Sequence, residues 1–167
     1  MRIAVIGSKG MLGRDLAGWL GPCHEVTGLD IDDIDIRERE GTVARIGELR
    51  PQLIINCAAC VDVESCESQP DRAFRVNALG SQNLAIAAQR SDADYLYFSS
   101  DYVFDGASGC DYDELAPPCP VNQYGRSKLA GEVLARRICR RTYVVRTSWL
   151  IGHRQGSYVD RVLDMAD

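Results

Sequence analysis

Lysine is almost absent from this chain: Lys9 and Lys128 stand against seventeen arginines in 167 residues. Histidine is as scarce; His24 and His153 lie far apart, and each reads as structural or solvated rather than catalytic. There is no basic block and no aromatic–basic stripe, and the net charge is −5. Nucleic acid is therefore excluded as the expected partner. No apolar run approaches the ~20 residues that cross a bilayer, and the first residues pass straight into a strand pattern. No membrane association and a cytoplasmic location are the expectations. Repeats, linkers and low-complexity tracts are missing as well. The seven cysteines are an odd number, scattered over different elements. Cys57-Ala-Ala-Cys60 has CxxC spacing with Cys66 after it, but the second ligand pair of a zinc site is lacking. Reduced thiols in small spaces are expected, and no metal site. Cys110 and Cys119 share a loop, with nothing in the sequence to pair them.

What is present is a globular composition, 46% hydrophobic and 26% charged, of a length that fits one domain over residues 1–167. Arg2-Ile-Ala-Val-Ile6 is a short apolar run of the buried parallel-strand kind. It ends in Gly7-Ser-Lys-Gly10-Met-Leu-Gly13 and a helical stretch through Leu20. Strand, glycine turn and helix in that order are the context of a dinucleotide-binding loop, where backbone N–H groups at a helix start meet a pyrophosphate. His24–Asp30 reads as the second strand. Its terminal Asp30 falls where a carboxylate would bind an adenosine ribose. The acidic Ile31–Ile36 that follows would repel a 2′-phosphate, which favours NADH mildly over NADPH, with Lys9, Arg14 and Arg37 as partial offsets.

Residues 37–49 are expected to be helical until Pro51. Leu53–Ala59 reads as a third strand ending in small side chains, which leave room for a flat ring. A long helix is expected over 70–90, a strand over Tyr95–Ser100, and a loop over Tyr102–Cys119. A strand at Thr142–Thr147 follows, then a turn through Trp149 and a last helix from about Ser157. Strands alternating with helices predict an α/β fold with a doubly wound parallel sheet. Ser100 and Asp101 then fall at the C-terminal sheet edge, where such folds place ligands.

The most legible chemistry lies in Pro120–Glu132. Tyr124 and Lys128 are four residues apart, on one face of the predicted helix. Chance gives about 0.08 such pairs in a chain of this composition, so the spacing alone is only suggestive. A phenol titrates near ~10, too weak an acid for neutral pH. An ammonium at ~4 Å would favour the phenolate by roughly 4 kcal/mol at an effective dielectric of about 20, or about three pKa units. Burial would oppose that shift.

The glycine loop, Asn56-Cys-Ala-Ala59, Ser99-Ser-Asp-Tyr-Val-Phe-Asp-Gly106, Asn122–Glu132 and Val145-Arg-Thr-Ser-Trp-Leu-Ile-Gly152 together resemble the dTDP-4-dehydrorhamnose reductase family, extended short-chain dehydrogenase/reductases. The resemblance covers Met1 to about Gly152. It implies a Rossmann-like NAD(P)-binding domain, in an oxidoreductase that reduces the 4-keto group of a dTDP-6-deoxy sugar in dTDP-L-rhamnose synthesis. By the same resemblance Tyr124 is the general acid, Lys128 holds the nicotinamide ribose and lowers the tyrosine pKa, and Ser100 hydrogen-bonds the carbonyl. Gly7, Gly10, Met11, Leu12 and Gly13 hold the pyrophosphate. Asp35 and Ile36 lie beside adenine, Ala58 and Ala59 near the nicotinamide, and Val63, Asp101, Tyr102 and Trp149 around the sugar.

Cys57 stands where the family has alanine, and Cys60-Val61 replace a more polar pair. Family members continue into a substrate domain that this chain is expected to lack. The expected partner is a nucleotide-sugar, and a homodimer is compatible. Two other readings stay open. One is a non-catalytic cofactor-binding subunit, like the regulatory subunit of methionine adenosyltransferase, which resembles the same family. The other is a fragment that binds dinucleotide and does little else.

Overall fold

The computed structural model describes residues 1–153, together with Val162 and Met165. The order of elements is β1 (Arg2–Ile6), α1 (Met11–Leu20), β2 (Glu25–Leu29), α2 (Arg39–Leu49), β3 (Leu53–Asn56), α3 (Val63–Ser68), α4 (Pro70–Phe74), α5 (Ser81–Arg90), β4 (Asp94–Ser100), α6 (Gln123–Ile138) and β5 (Thr142–Thr147). All pairings are parallel and the spatial order is β2-β1-β3-β4-β5. The expected doubly wound sheet is what the chain forms. The helix expected from Ser157 lies outside the described residues.

Alternation along the strands divides the core into two layers, because successive side chains of a strand face opposite sides. Ile3, Val5 and Ile55 face one side and pack with Leu16 and Leu20 of α1. Ala4, Ile6, Ile54, Tyr95 and Tyr97 face the other, against Ile46 of α2, Leu84 and its alanine neighbours on α5, and Ala135 of α6. Four of the five residues of β1 are buried. That explains why β1 reads as an unbroken apolar run rather than an alternating one.

The chain leaves β1 toward β2 on one side, then crosses back so that β3 pairs with the other side of β1. That reversal opens a crevice above the C-terminal ends of β1 and β3, the switch point at which open α/β sheets bind ligands. Ile6 lies opposite Asn56 in register, which sets Gly7 beside Cys57 and Ala58. Gly7 has φ +78°, and a Cβ there would stand 2.7 Å from the Ala58 nitrogen. The first turn therefore tolerates only glycine at this point.

The long helix expected over 70–90 is continuous but not uniform, with a π-helical turn over Arg75–Gly80 between α4 and α5. Its extra residue per turn swings Asn77 into the interior, where it is 1% exposed. π-turns within α-helices frequently accompany functional sites. All seven cysteines are free thiols. No helix among the described residues is long and apolar enough to cross a membrane.

Candidate active site

The switch-point crevice has a volume of about 430 Å³ and is lined by Gly7, Gly10, Asp30, Asp35, Ile36, Ala58, Ala59 and Cys60. Seven of the ten residues expected to touch a dinucleotide thus face one cavity. Met11, Leu12 and Gly13 form the first turn of α1, whose leading N–H groups fall outside the helix's own ladder. The side chain of Asp30 works inside the loop as well as facing the cavity: its two oxygens accept from Lys9 N–H and Ile31 N–H, each at 2.8 Å. Asp35 is gripped by Arg37, with Nη2–Oδ2 at 2.7 Å, and this ion pair holds its carboxyl below the usual carboxylate range. Lys9 pairs with Asp32. The basic side chains flanking the acidic stretch are thereby engaged by the aspartates beside them.

At the same edge of the sheet, β4 ends in Ser100 and leads into a 3₁₀ turn over Asp101–Val103. Helix α6 starts nearby because Asn122 caps it, its Oδ1 accepting from Gly125 N–H at 2.8 Å. A Cβ on Gly125 would stand 2.0 Å from the Tyr102 carbonyl oxygen. Only glycine lets the 3₁₀ turn lie this close to the helix, and that approach brings Tyr102 edge-on to Tyr124 at 5.5 Å between rings. Ser100 lies close enough to the Tyr124 hydroxyl to act on it, in the direction that lowers its pKa. Ser100 also donates to Asp101 Oδ1 at 2.9 Å, while Ser148 donates to Asp101 Oδ2 at 2.8 Å. Trp149, at φ +50°, stands exposed beyond β5, and Val63 opens α3.

Lys128 lies one helical turn deeper and is 3% exposed. Its ammonium donates to the Phe98 carbonyl at 2.6 Å and sits 4.4 Å over the Tyr97 ring. Burial brings its pKa down to about 7, against the opposing pull of Glu132 and Cys57. The Cys57 thiol is itself pushed up to about 12 by burial, despite the nearby Lys128 charge. These shifts correct one expectation. The Tyr124 hydroxyl is raised rather than lowered, burial being the largest cause and the Asp101 charge adding to it. Desolvation prevails because the Lys128 ammonium is directed to the Phe98 carbonyl rather than to the phenol.

Several residues around the site escaped sequence reasoning. The Asn77 carboxamide accepts from Cys60 N–H at 2.8 Å and donates to the Cys60 carbonyl at 3.0 Å and to Ser127 Oγ at 2.9 Å. Ser127 in turn donates to the Tyr124 carbonyl at 2.7 Å. The crevice loop and α6 are thus tied together through one buried amide. Glu132, 2% exposed, receives two hydrogen bonds from Arg146 at 2.7 and 3.0 Å, and Arg146 covers the Phe104 ring at 4.9 Å. Asn56 anchors the end of β3, donating to Tyr95 Oη at 2.9 Å and accepting from Ala58 N–H at 3.0 Å. The Asn-containing motif at the end of β3 was the one sequence signal that pointed into this network.

A family model described as the RmlD substrate binding domain matches residues 1–167. The dTDP-4-dehydrorhamnose reductase of Aggregatibacter actinomycetemcomitans is 36% identical over 99% of this chain and 57% of its own length. Among solved structures, the dTDP-4-dehydrorhamnose reductase of Clostridium acetobutylicum superposes with a TM-score of 0.95 at 36% identity, over 99% of this chain and 59% of that one. The Bacillus anthracis dTDP-4-dehydrorhamnose reductase, solved in complex with NADP, gives 0.94 at 36% identity, over 98% and 59%. The chain therefore spans less than two thirds of the length of these relatives. Over the part that it spans, the fold is the Rossmann-like one of those reductases, and the chain belongs to the RmlD substrate binding domain family.

Proposed function

We propose that residues 1–167 form the dinucleotide-binding and proton-donating part of an NAD(P)H-dependent reductase of a 4-keto nucleotide-sugar, in the manner of dTDP-4-dehydrorhamnose reductase. The observation that carries this reading is the convergence at one sheet edge of Ser100 at the end of β4 and Tyr124 in the first turn of α6, near enough for Ser100 to act on the phenol, with Lys128 buried beneath. The residues present fit a dinucleotide: a turn at Gly7 that a Cβ would fill, the start of α1 above it, and Ala58 and Ala59 where a flat ring needs small neighbours. A reduced nicotinamide, when bound, supplies the hydride.

In this reading Tyr124 gives its proton to the sugar oxygen and Ser100 donates a hydrogen bond to the same atom. The raised pKa keeps the phenol protonated but makes it a weaker acid, so proton donation depends on stabilising the tyrosinate it leaves. Lys128, with a pKa of about 7, can charge or discharge near neutrality, and its charged form stabilises the tyrosinate once the ammonium turns from the Phe98 carbonyl toward it. Val63, Asp101, Tyr102 and Trp149 are assigned to the sugar. The Asp35–Arg37 and Lys9–Asp32 pairs support a mild preference for NADH, since each occupies a cation that a 2′-phosphate would recruit. A cytoplasmic location and a possible homodimer accompany the reading.

Incubation with NADH, NADPH and a dTDP-4-keto-6-deoxy sugar tests it. Cofactor oxidation coupled to a new hydroxyl at sugar C4 is expected. Tight cofactor binding with no oxidation, by the chain alone and by a form extended to the length of its relatives, would favour the non-catalytic subunit instead.

A further inference from the structure

Cys60 and Cys66 stand with their sulfurs 3.7 Å apart, the Cys66 thiol facing both the sulfur and the carbonyl oxygen of Cys60. Their placement differs in a useful way. Cys60 is half-buried and lines the crevice, whereas Cys66 on α3 is buried behind it. A solute in the crevice therefore reaches one sulfur, and the second waits at contact distance. A disulfide requires a separation of about 2.05 Å, so closing the pair brings the two sulfurs nearer by roughly 1.6 Å, a change that side-chain rotation and the two segments share. Cys60 does not move alone, because both its N–H and its carbonyl hold Asn77, and Asn77 holds Ser127 under Tyr124.

We propose that Cys60 and Cys66 form a reversible oxidation site, a dithiol that hydrogen peroxide converts to a disulfide and that thereby displaces the crevice loop. In the first step the Cys60 thiolate attacks a peroxide oxygen, the O–O bond breaks, and a sulfenic acid and hydroxide result, the hydroxide taking up the proton that the thiol had released to become water. In the second, the Cys66 sulfur attacks the Cys60 sulfur, the S–O bond breaks, and a second water leaves. Two thiols and one peroxide give one disulfide and two waters, with two electrons passing to peroxide. A dithiol reductant reverses the change by exchange. Burial and the hydrogen bond to Cys60 push the Cys66 thiol up to about 12, so the second step accelerates as pH rises. Cys57 also lines the crevice, and there the Lys128 charge acts on its thiol.

The effect on turnover rests on the proposed reductase reading; the bond itself does not. Treating the chain with equimolar peroxide is expected to remove two hydrogens by intact mass, with peptide mapping joining Cys60 to Cys66 and dithiothreitol restoring both thiols. Cys66→Ser is expected to stop at a sulfenic acid on Cys60 that dimedone traps, and Cys60→Ser to leave Cys66 unmodified. Turnover of the oxidised chain should fall on the order of 100-fold, as an ångström of misplacement does. A disulfide mapped to another pair, or the same two-hydrogen loss in Cys66→Ser, overturns the proposal. Absence of turnover even in the reduced chain counts against the reductase reading alone, because the mass and mapping results stand apart from it.

Discussion

Replacing Lys128 by methionine is expected to stabilise the fold while removing the group assigned to tyrosinate stabilisation. The lysine titrates at about 7 in the folded chain against 10.5 in its ordinary state, with burial the main cause. At about 1.36 kcal/mol per unit, that shift disfavours the charged form by roughly 5 kcal/mol. The unfolded chain keeps the proton up to about 10.5 and the folded chain only up to about 7. Between those values the unfolded state binds more protons, so stability rises with pH at about 1.4 kcal/mol per unit. The penalty is full below about pH 7 and gone above about 10.5. Methionine fills a similar volume but forfeits the hydrogen bond to Phe98 and the contact with the Tyr97 ring, together about 1–3 kcal/mol. The variant should therefore be more stable by about 3 kcal/mol at neutral pH, and the advantage should vanish near about pH 9, by roughly the slope above. Urea unfolding of both proteins across that range, taken as a difference, cancels every other titration the two share. A variant less stable than wild type at pH 7, or a difference that does not change with pH, would refute the reasoning.

Glu132→Gln leaves the Arg146 guanidinium, at 20% side-chain exposure, without its carboxylate; unfolding should register a loss of about 3 kcal/mol. Asn77→Ala strips the Cys60 N–H and carbonyl and Ser127 of a shared partner and should cost about 2–3 kcal/mol, read by the same melts, with faster hydrogen exchange at the Cys60 amide. Asp35→Asn releases Arg37 from its ion pair and should shift relative affinity toward NADPH over NADH by about fivefold, near 1 kcal/mol, in parallel fluorescence titrations.

The sequence carried most of what depends on neighbours in the chain. The β1 run, the glycine turn, Asn122 ahead of α6 and the four-residue step from Tyr124 to Lys128 are local signals, and each led to the right element. The strands were legible because parallel strands buried on both faces are apolar throughout, so no partner had to be known. What stayed hidden depends on partners far along the chain. Asn77 reads as an ordinary polar position on a helix until a π-turn rotates it toward Ser127, fifty residues away. Glu132 and Arg146 meet only because α6 returns beside β5. The direction of the Lys128 ammonium was unreadable for the same reason: spacing sets the face of the helix, while the Phe98 carbonyl that captures the ammonium comes from β4. Local pattern thus placed Tyr124 and Lys128 on one face of α6, and tertiary packing decided the sign of the Tyr124 pKa shift.

The most direct measurement is turnover of a dTDP-4-keto-6-deoxy sugar by Tyr124→Phe, with NADH affinity measured on the same samples. The account predicts unchanged NADH binding and a turnover lower by about 10²–10⁴-fold, the usual contribution of a positioned general acid. Turnover equal to that of the unaltered chain would contradict it, because the proton would then reach the sugar oxygen without this phenol.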